Sequence, residues 1–103
     1  MGPFQLILYS REGCCLCQGL EQKLMSIPLQ KLNPPLELSV LDIDSVEIPI
    51  RIRQRYDLEV PVMILSQNNL KGTFELPRVS PRINNEGLFN WLQKVLTKIT
   101  GSH

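Results

Sequence analysis

The sequence has little net charge and no long apolar run, and these two absences exclude several classes of protein. Eleven Lys and Arg residues are nearly balanced by ten Asp and Glu residues, so the formal net charge is +1. This leaves no strong field to attract a polyanion, and we expect no nucleic-acid partner. No stretch could span a bilayer, so we expect no membrane partner. The apolar run at 4–9 is too short for a secretory signal, which favours a cytoplasmic protein.

The sequence also lacks scattered cysteines and internal histidines. Its three cysteines are Cys14, Cys15 and Cys17, and its one histidine is His103. A structural disulfide framework spreads an even number of cysteines along a small secreted chain, so this clustered pattern excludes one. With 103 residues and 43% hydrophobic content, the chain predicts a single domain over 1–100, a frayed tail at 101–103 and a monomer.

Apolar periodicity and turn residues predict an α/β fold. Apolar residues of the first predicted helix, at 15–27, recur at helical spacing and include Leu16, Leu20 and Leu24, while Ser45 is the candidate N-cap of the second helix. The predicted element order is β-α-β-α-β-β-α, a parallel crossover unit followed by a hairpin and a closing helix. We predict strands at 4–9, 36–43, 60–65 and 73–76, helices at 15–27, 45–56 and 88–99, and a hairpin turn at 67–69.

The cysteine run lies where a strand ends and a helix begins. Unpaired N–H groups and the positive end of the helix dipole stabilise a thiolate at such a position. A C-x-x-C motif near a β-α-β pattern indicates thiol-disulfide chemistry. Cys14 at the helix cap is the candidate nucleophile, and Cys17, one turn further along, is the candidate resolving thiol. Cys15 has no assigned role.

The run Tyr9–Cys17, with Arg11 three positions before Cys14, and the pair Val60–Pro61 before the third strand resemble glutaredoxin-like members of the thioredoxin superfamily. The resemblance implies a thioredoxin fold with a four-stranded mixed sheet and helices on both faces. It implies a cis Val60–Pro61 peptide, with Arg11, Val60 and Pro61 binding substrate. Glutathione-binding relatives carry a Gly-Gly-x-x-Asp segment after the fourth strand, whereas this chain has Leu76–Arg82 there. Because that segment is missing, a protein disulfide is expected as an alternative partner to glutathione.

These residues predict a thiol-disulfide oxidoreductase that reduces protein or glutathione mixed disulfides. It needs no bound organic cofactor, and glutathione would enter as a co-substrate. Two alternatives remain open: a module in which the three cysteines hold a metal ion or an iron-sulfur cluster, and a redox sensor without turnover. A redox-inert adaptor is a third. No fourth metal ligand is evident, since His103 is the only histidine, and we predict no metal site.

Overall fold

A computed structural model of the chain describes residues 4–67 and 73–100. The predicted order of strands and α-helices is confirmed. Of the hairpin turn predicted at 67–69, Gln67 is instead the last residue of the third strand. Residues 68–69 and the tail at 101–103 lie outside the described residues. No helix in 4–67 or 73–100 is both long and apolar enough to cross a membrane. The elements are β1 (Phe4–Ser10), α1 (Cys15–Ser26), a 3₁₀ turn (Leu29–Lys31), β2 (Leu36–Asp42), α2 (Ile50–Tyr56), β3 (Val62–Gln67), β4 (Thr73–Glu75) and α3 (Asn85–Thr100).

The four strands form one mixed sheet in the order β2-β1-β3-β4. β1 and β2 are parallel, whereas β3 is antiparallel to both β1 and β4. Tyr9, near the end of β1, is opposite Val62 at the start of β3. The cysteine run that follows β1 and the Val60–Pro61 pair that precedes β3 are therefore brought to the same end of the sheet.

Side chains on both faces of the sheet are buried by helices, as the resemblance predicted. On one face, Leu8 and Leu65 belong to a core with Leu24 of α1 and Leu92 of α3. The opposite face carries a smaller cluster of buried residues around α2, comprising Tyr9, Ile43, Ile48, Tyr56, Val62 and Ile64. Alternating residues of a strand point to opposite faces, so β1 and β3 contribute to both clusters.

The second helix is shorter than the sequence predicted. It begins at Ile50, after Pro49, and Ser45 is not its N-cap. Proline disfavours helical backbone in the residue before it and lacks the N–H that an interior helical position needs. The residues from Ser45 to Pro49 instead form turns, in which the Ile48 N–H donates to the Ser45 carbonyl at 3.1 Å.

Two further predictions are corrected near the cysteines. The third strand begins at Val62, because residues 60–61 precede the ladder in which Tyr9 is opposite Val62. Leu16, predicted for the buried face of α1, is 56% exposed. Leu16 lies in the first turn of the helix, whereas Leu20 and Leu24 further along the helix reach the core.

Candidate active site

The Cys14 and Cys17 sulfurs lie at disulfide distance, with their Cα atoms 5.2 Å apart. Cys14 is the N-cap of α1, and its Sγ accepts a hydrogen bond from the Cys17 N–H at 3.2 Å. After reduction, the same N–H can donate to a Cys14 thiolate, as backbone N–H groups at helix N-termini do for nucleophilic thiols. Cys14 is half-buried whereas Cys17 is fully buried.

The turn between β1 and α1 presents Cys14 at the helix end. Gly13 has φ +82°, a left-handed conformation that disfavours residues with a Cβ. The Cys14 N–H then donates to the Arg11 carbonyl at 3.2 Å, and the Gln18 N–H donates to the Cys14 carbonyl at 3.0 Å. A glycine at this position lets the chain reverse direction and enter the helix directly at Cys15.

Cys15 is a free, exposed thiol on the first turn of α1. Among residues 4–67 and 73–100, no group of three or more His, Cys, Asp or Glu side chains is arranged to hold a metal ion. Cys15 and Leu16 border a groove instead, together with Pro61. The three cysteines therefore have different surroundings: a helix cap, a groove wall and the protein interior.

The groove beside the cysteines has a volume of about 250 Å³. Its walls are α1, the start of β3 and the segment after β4, and the Val60–Pro61 peptide at its end is cis. This confirms the predicted isomer. Much of the lining is apolar: Leu16, Leu20, Val62, Met63, Leu76, Pro77, Val79, Pro81 and Ile83. The segment that the sequence marked only as a departure from the glutathione-binding pattern is thus a wall of the groove.

Two cations on the groove walls are held by backbone carbonyls. The Lys23 Nζ donates to the Pro81 carbonyl at 2.8 Å, and the Arg78 Nη2 donates to the Glu59 carbonyl. Lys23 therefore links α1 to the segment after β4, and Arg78 links that segment to the residues before β3. The sequence pattern gave no signal for this bracing role, because each bond joins residues far apart in the chain.

Arg11 is held by two carboxylates. Its Nε and Nη2 donate to Asp44 at 2.8 and 3.0 Å, its Nη2 also donates to the Asp57 carboxylate, and its Nη1 donates to the Asp57 carbonyl at 2.8 Å. The Asp44 bond, and next the Asp57 bond, raise the pKa of Arg11. The negative charges of Asp44 and Asp57 offset the positive charge of Arg11, which weakens the attraction between Arg11 and a Cys14 thiolate. Its predicted substrate-binding role stays a prediction, as do those of Val60 and Pro61.

Asp44 and Asp57 were not singled out from the sequence, although a signal for Asp44 existed. Arg11 follows β1, and Asp44 follows β2. The carboxyl ends of neighbouring parallel strands meet at one edge of a sheet, so opposite charges just beyond them are brought together. Asp57 follows the last residue of α2 and had no comparable signal, because the position of that helix end depends on packing.

A sequence-family comparison agrees with this geometry. Residues 5–93 match the model of the family described as "Glutaredoxin-like domain (DUF836)". The chain belongs to this glutaredoxin-like family. No curated protein matches the chain. A solved structure titled "Structure of a malarial protein" superposes with a TM-score of 0.56 at 15% identity, covering 88% of this chain and 94% of that one. At that identity the match shows the fold alone.

The glutaredoxin-like family match and the mixed sheet together establish a thioredoxin-like fold. A Cys-x-x-Cys pair at disulfide distance at the end of β1 fits a redox role.

Acid is expected to weaken the Arg11–Asp44 link. The Arg11 hydrogen bond lowers the pKa of Asp44 from its ordinary value of 3.8. A carboxyl with a lower pKa in the folded chain stabilises the fold fully above its unfolded pKa and loses this contribution as pH falls through its folded pKa. Below about pH 4, the free energy of unfolding should therefore fall more steeply in the wild type than in Asp44→Asn. Urea denaturation at a series of pH values measures this slope.

Arg11→Gln is the partner variant for this measurement. It removes the same charge-assisted bond, so it should flatten the pH dependence as Asp44→Asn does. The double variant should add little to Arg11→Gln, because that single change already abolishes the Arg11–Asp44 interaction together with the bonds from Arg11 to Asp57. Equal slopes in the wild type and Asp44→Asn would contradict the link.

Proposed function

We propose that this chain is a thiol-disulfide oxidoreductase that reduces disulfides with Cys14 as nucleophile and Cys17 as resolving thiol. The observation that carries the proposal is the asymmetry of the pair. Cys14 lies at the surface end of α1 and accepts a backbone N–H, whereas Cys17 is buried behind it. A substrate sulfur can approach only the outer member of such a pair directly.

The reaction proceeds in two exchanges that balance in atoms and electrons. The Cys14 thiolate attacks one sulfur of a substrate disulfide, forming a mixed disulfide and expelling the other substrate sulfur as a thiolate. Cys17, as a thiolate, then attacks the Cys14 sulfur, forming the Cys14–Cys17 disulfide and releasing the second substrate sulfur. Two electrons pass to the substrate, and its two sulfurs take up protons from water. An external thiol reductant restores the dithiol.

The surroundings of Cys14 support an extended peptide or glutathione as the group carrying the substrate sulfur. The cis Val60–Pro61 bond and the apolar groove lie beside the first turn of α1. We propose that Val60 and Pro61 contact the substrate backbone there, and that glutathione serves as co-substrate rather than as a resident cofactor. The mostly apolar lining of the groove favours a protein disulfide over a highly charged tripeptide.

The test of this function is turnover with two competing reductants. Reduced protein is mixed with a disulfide between glutathione and a short cysteine peptide, and NADPH consumption is followed with either glutathione and its reductase or thioredoxin and its reductase. We expect many turnovers per protein with at least one reductant. Peptide release equal to the amount of protein, with no further NADPH consumption, would contradict turnover and favour the redox sensor.

The same sample distinguishes the remaining alternatives. Protein purified anaerobically is analysed for zinc and iron and by visible absorbance before the assay. Stoichiometric metal bound through the cysteines, together with no turnover, would replace the oxidoreductase proposal by the metal-binding module. Failure of all three thiols to react with iodoacetamide in the folded, reduced protein would favour the inert adaptor.

A further inference from the structure

A second groove lies along the edge of the sheet, away from the cysteines. It is formed by β4, the residues just after it and one side of α3, and has a volume of about 590 Å³. Phe74 of β4 is 40% exposed, and Trp91, Val95 and Ile99 of α3 are half-buried against the core. β4 is the edge strand of the described sheet. Its outer backbone groups can therefore pair with an extended segment.

The α3 side of this second groove is positively charged, and the carboxylate on its β4 side, Glu75, is paired with Arg55. Lys94 and Lys98 form the rim on the α3 side, one helical turn apart. Both are exposed, and neither has an ion-pair partner among residues 4–67 and 73–100. An apolar trough beside two such ammonium groups is complementary to a segment that combines apolar and acidic side chains.

The second groove adjoins the groove beside the cysteines through shared lining residues. Glu75, Leu76 and Pro77 line both. Glu75 is fixed from the other face of the sheet, where its Oε1 accepts hydrogen bonds from the Tyr56 hydroxyl at 2.9 Å and from Arg55 at 3.2 Å. A segment bound in the cysteine groove would pass these shared residues on its way to the Lys94 and Lys98 rim.

We propose that the second groove docks the apolar and acidic segment of a protein substrate whose disulfide is presented to Cys14. This inference rests on the proposed function and specifies its substrate class. Glutathione is a tripeptide and has no chain to extend into a second groove, so the docking site selects proteins over glutathione. A substrate held along β4 keeps its sulfur close to Cys14, which raises the effective concentration of the reacting groups.

Two mixed disulfides with the same reactive cysteine test the proposal. The short one joins glutathione to a cysteine tripeptide. The extended one adds to this tripeptide a flexible spacer followed by a segment of Leu, Phe, Glu and Asp residues, and it is made with several spacer lengths. At the best spacer length, we expect the extended substrate to have a roughly tenfold lower KM, since apolar burial and rim ion pairs together supply about that factor. The kcat values should be similar.

Charge reversal of the rim should remove that advantage. In Lys94→Glu/Lys98→Glu, the KM of the extended substrate should rise to about that of the short one. Phe74→Ser should lessen the difference between the two KM values by removing an apolar wall. The matched control is Lys31→Glu/Arg51→Glu, which reverses two exposed cations elsewhere on the surface and should keep the wild-type ratio of the two KM values. An equal loss in the control, or no advantage of the extended substrate in the wild type, would overturn the proposal.

Direct binding separates this docking site from the proposed reaction. Trp91 is the only tryptophan and lines the second groove, so its fluorescence should change when the extended peptide, with serine replacing cysteine, is added. Binding without any disulfide turnover would overturn the proposed function but not the docking site. Turnover without binding would overturn the docking site alone. Two other results would also overturn the docking site. If Trp91 fluorescence responds only to phosphatidylserine vesicles, the second groove binds lipid. If the protein forms dimers that Lys94→Glu/Lys98→Glu abolishes, the second groove binds a second copy.

Discussion

Replacing Cys14 with serine is expected to lower disulfide turnover by a factor on the order of 10³ or more. The serine hydroxyl stays protonated near neutral pH, so it cannot replace a thiolate whose negative charge is favoured by the Cys17 N–H at the helix end. Cys17 cannot substitute for it, because Cys17 is buried. Steady-state turnover of the short mixed disulfide measures the loss.

Cys15→Ser is the matched control, since it removes an exposed thiol from the adjacent position. It should keep turnover within about tenfold of the wild type, because Cys15 is not part of the pair at disulfide distance. Loss in Cys15→Ser together with retention in Cys14→Ser would make Cys15 the nucleophile. Cys17→Ser should instead accumulate a mixed disulfide at Cys14 with a protein substrate, seen by mass spectrometry, because its resolving thiol is absent.

Replacing Leu24 with alanine is expected to lower the free energy of unfolding by about 2–5 kcal/mol. Leu24 is 1% exposed and packs in the core between the sheet and the helices α1 and α3. Alanine loses the transfer free energy of the removed carbon atoms and leaves a cavity, since neighbours in a close-packed interior relax only in part. Urea denaturation followed by circular dichroism measures the change.

Met25→Ala is the control for this core substitution. Met25 is the next residue of α1 but is 70% exposed, so its replacement should change the free energy of unfolding by no more than about 0.5 kcal/mol. Equal effects of the two substitutions would mean that α1 does not pack on the sheet as described. Since α1 begins at the cysteines, loss of its inner packing should also lower turnover at temperatures where the variant is partly unfolded.

The predicted element order is confirmed because each element has a strong local signal. The strands are short apolar runs bounded by turn residues, and the long helices carry apolar residues at helical spacing. The second helix was predicted too long because Ser45 is a suitable N-cap residue, whereas the helix begins only after Pro49. Ile48 is buried although it is not helical. The face of the sheet that α2 covers needs an apolar cover, whatever the backbone conformation of the residue that supplies it.

The sequence by itself determined the element order, through local apolar patterns, and the pairing of Cys14 with Cys17, because a motif of fixed spacing at a strand end depends on local geometry. The thioredoxin-like fold was what the family resemblance implied. Tertiary structure decided what surrounds the pair. It held Arg11 between Asp44 and Asp57, and it made the segment after β4 a groove wall. These contacts join residues far apart in sequence. Their partners depend on how strands and helix ends are brought together in space, which local residue patterns do not encode.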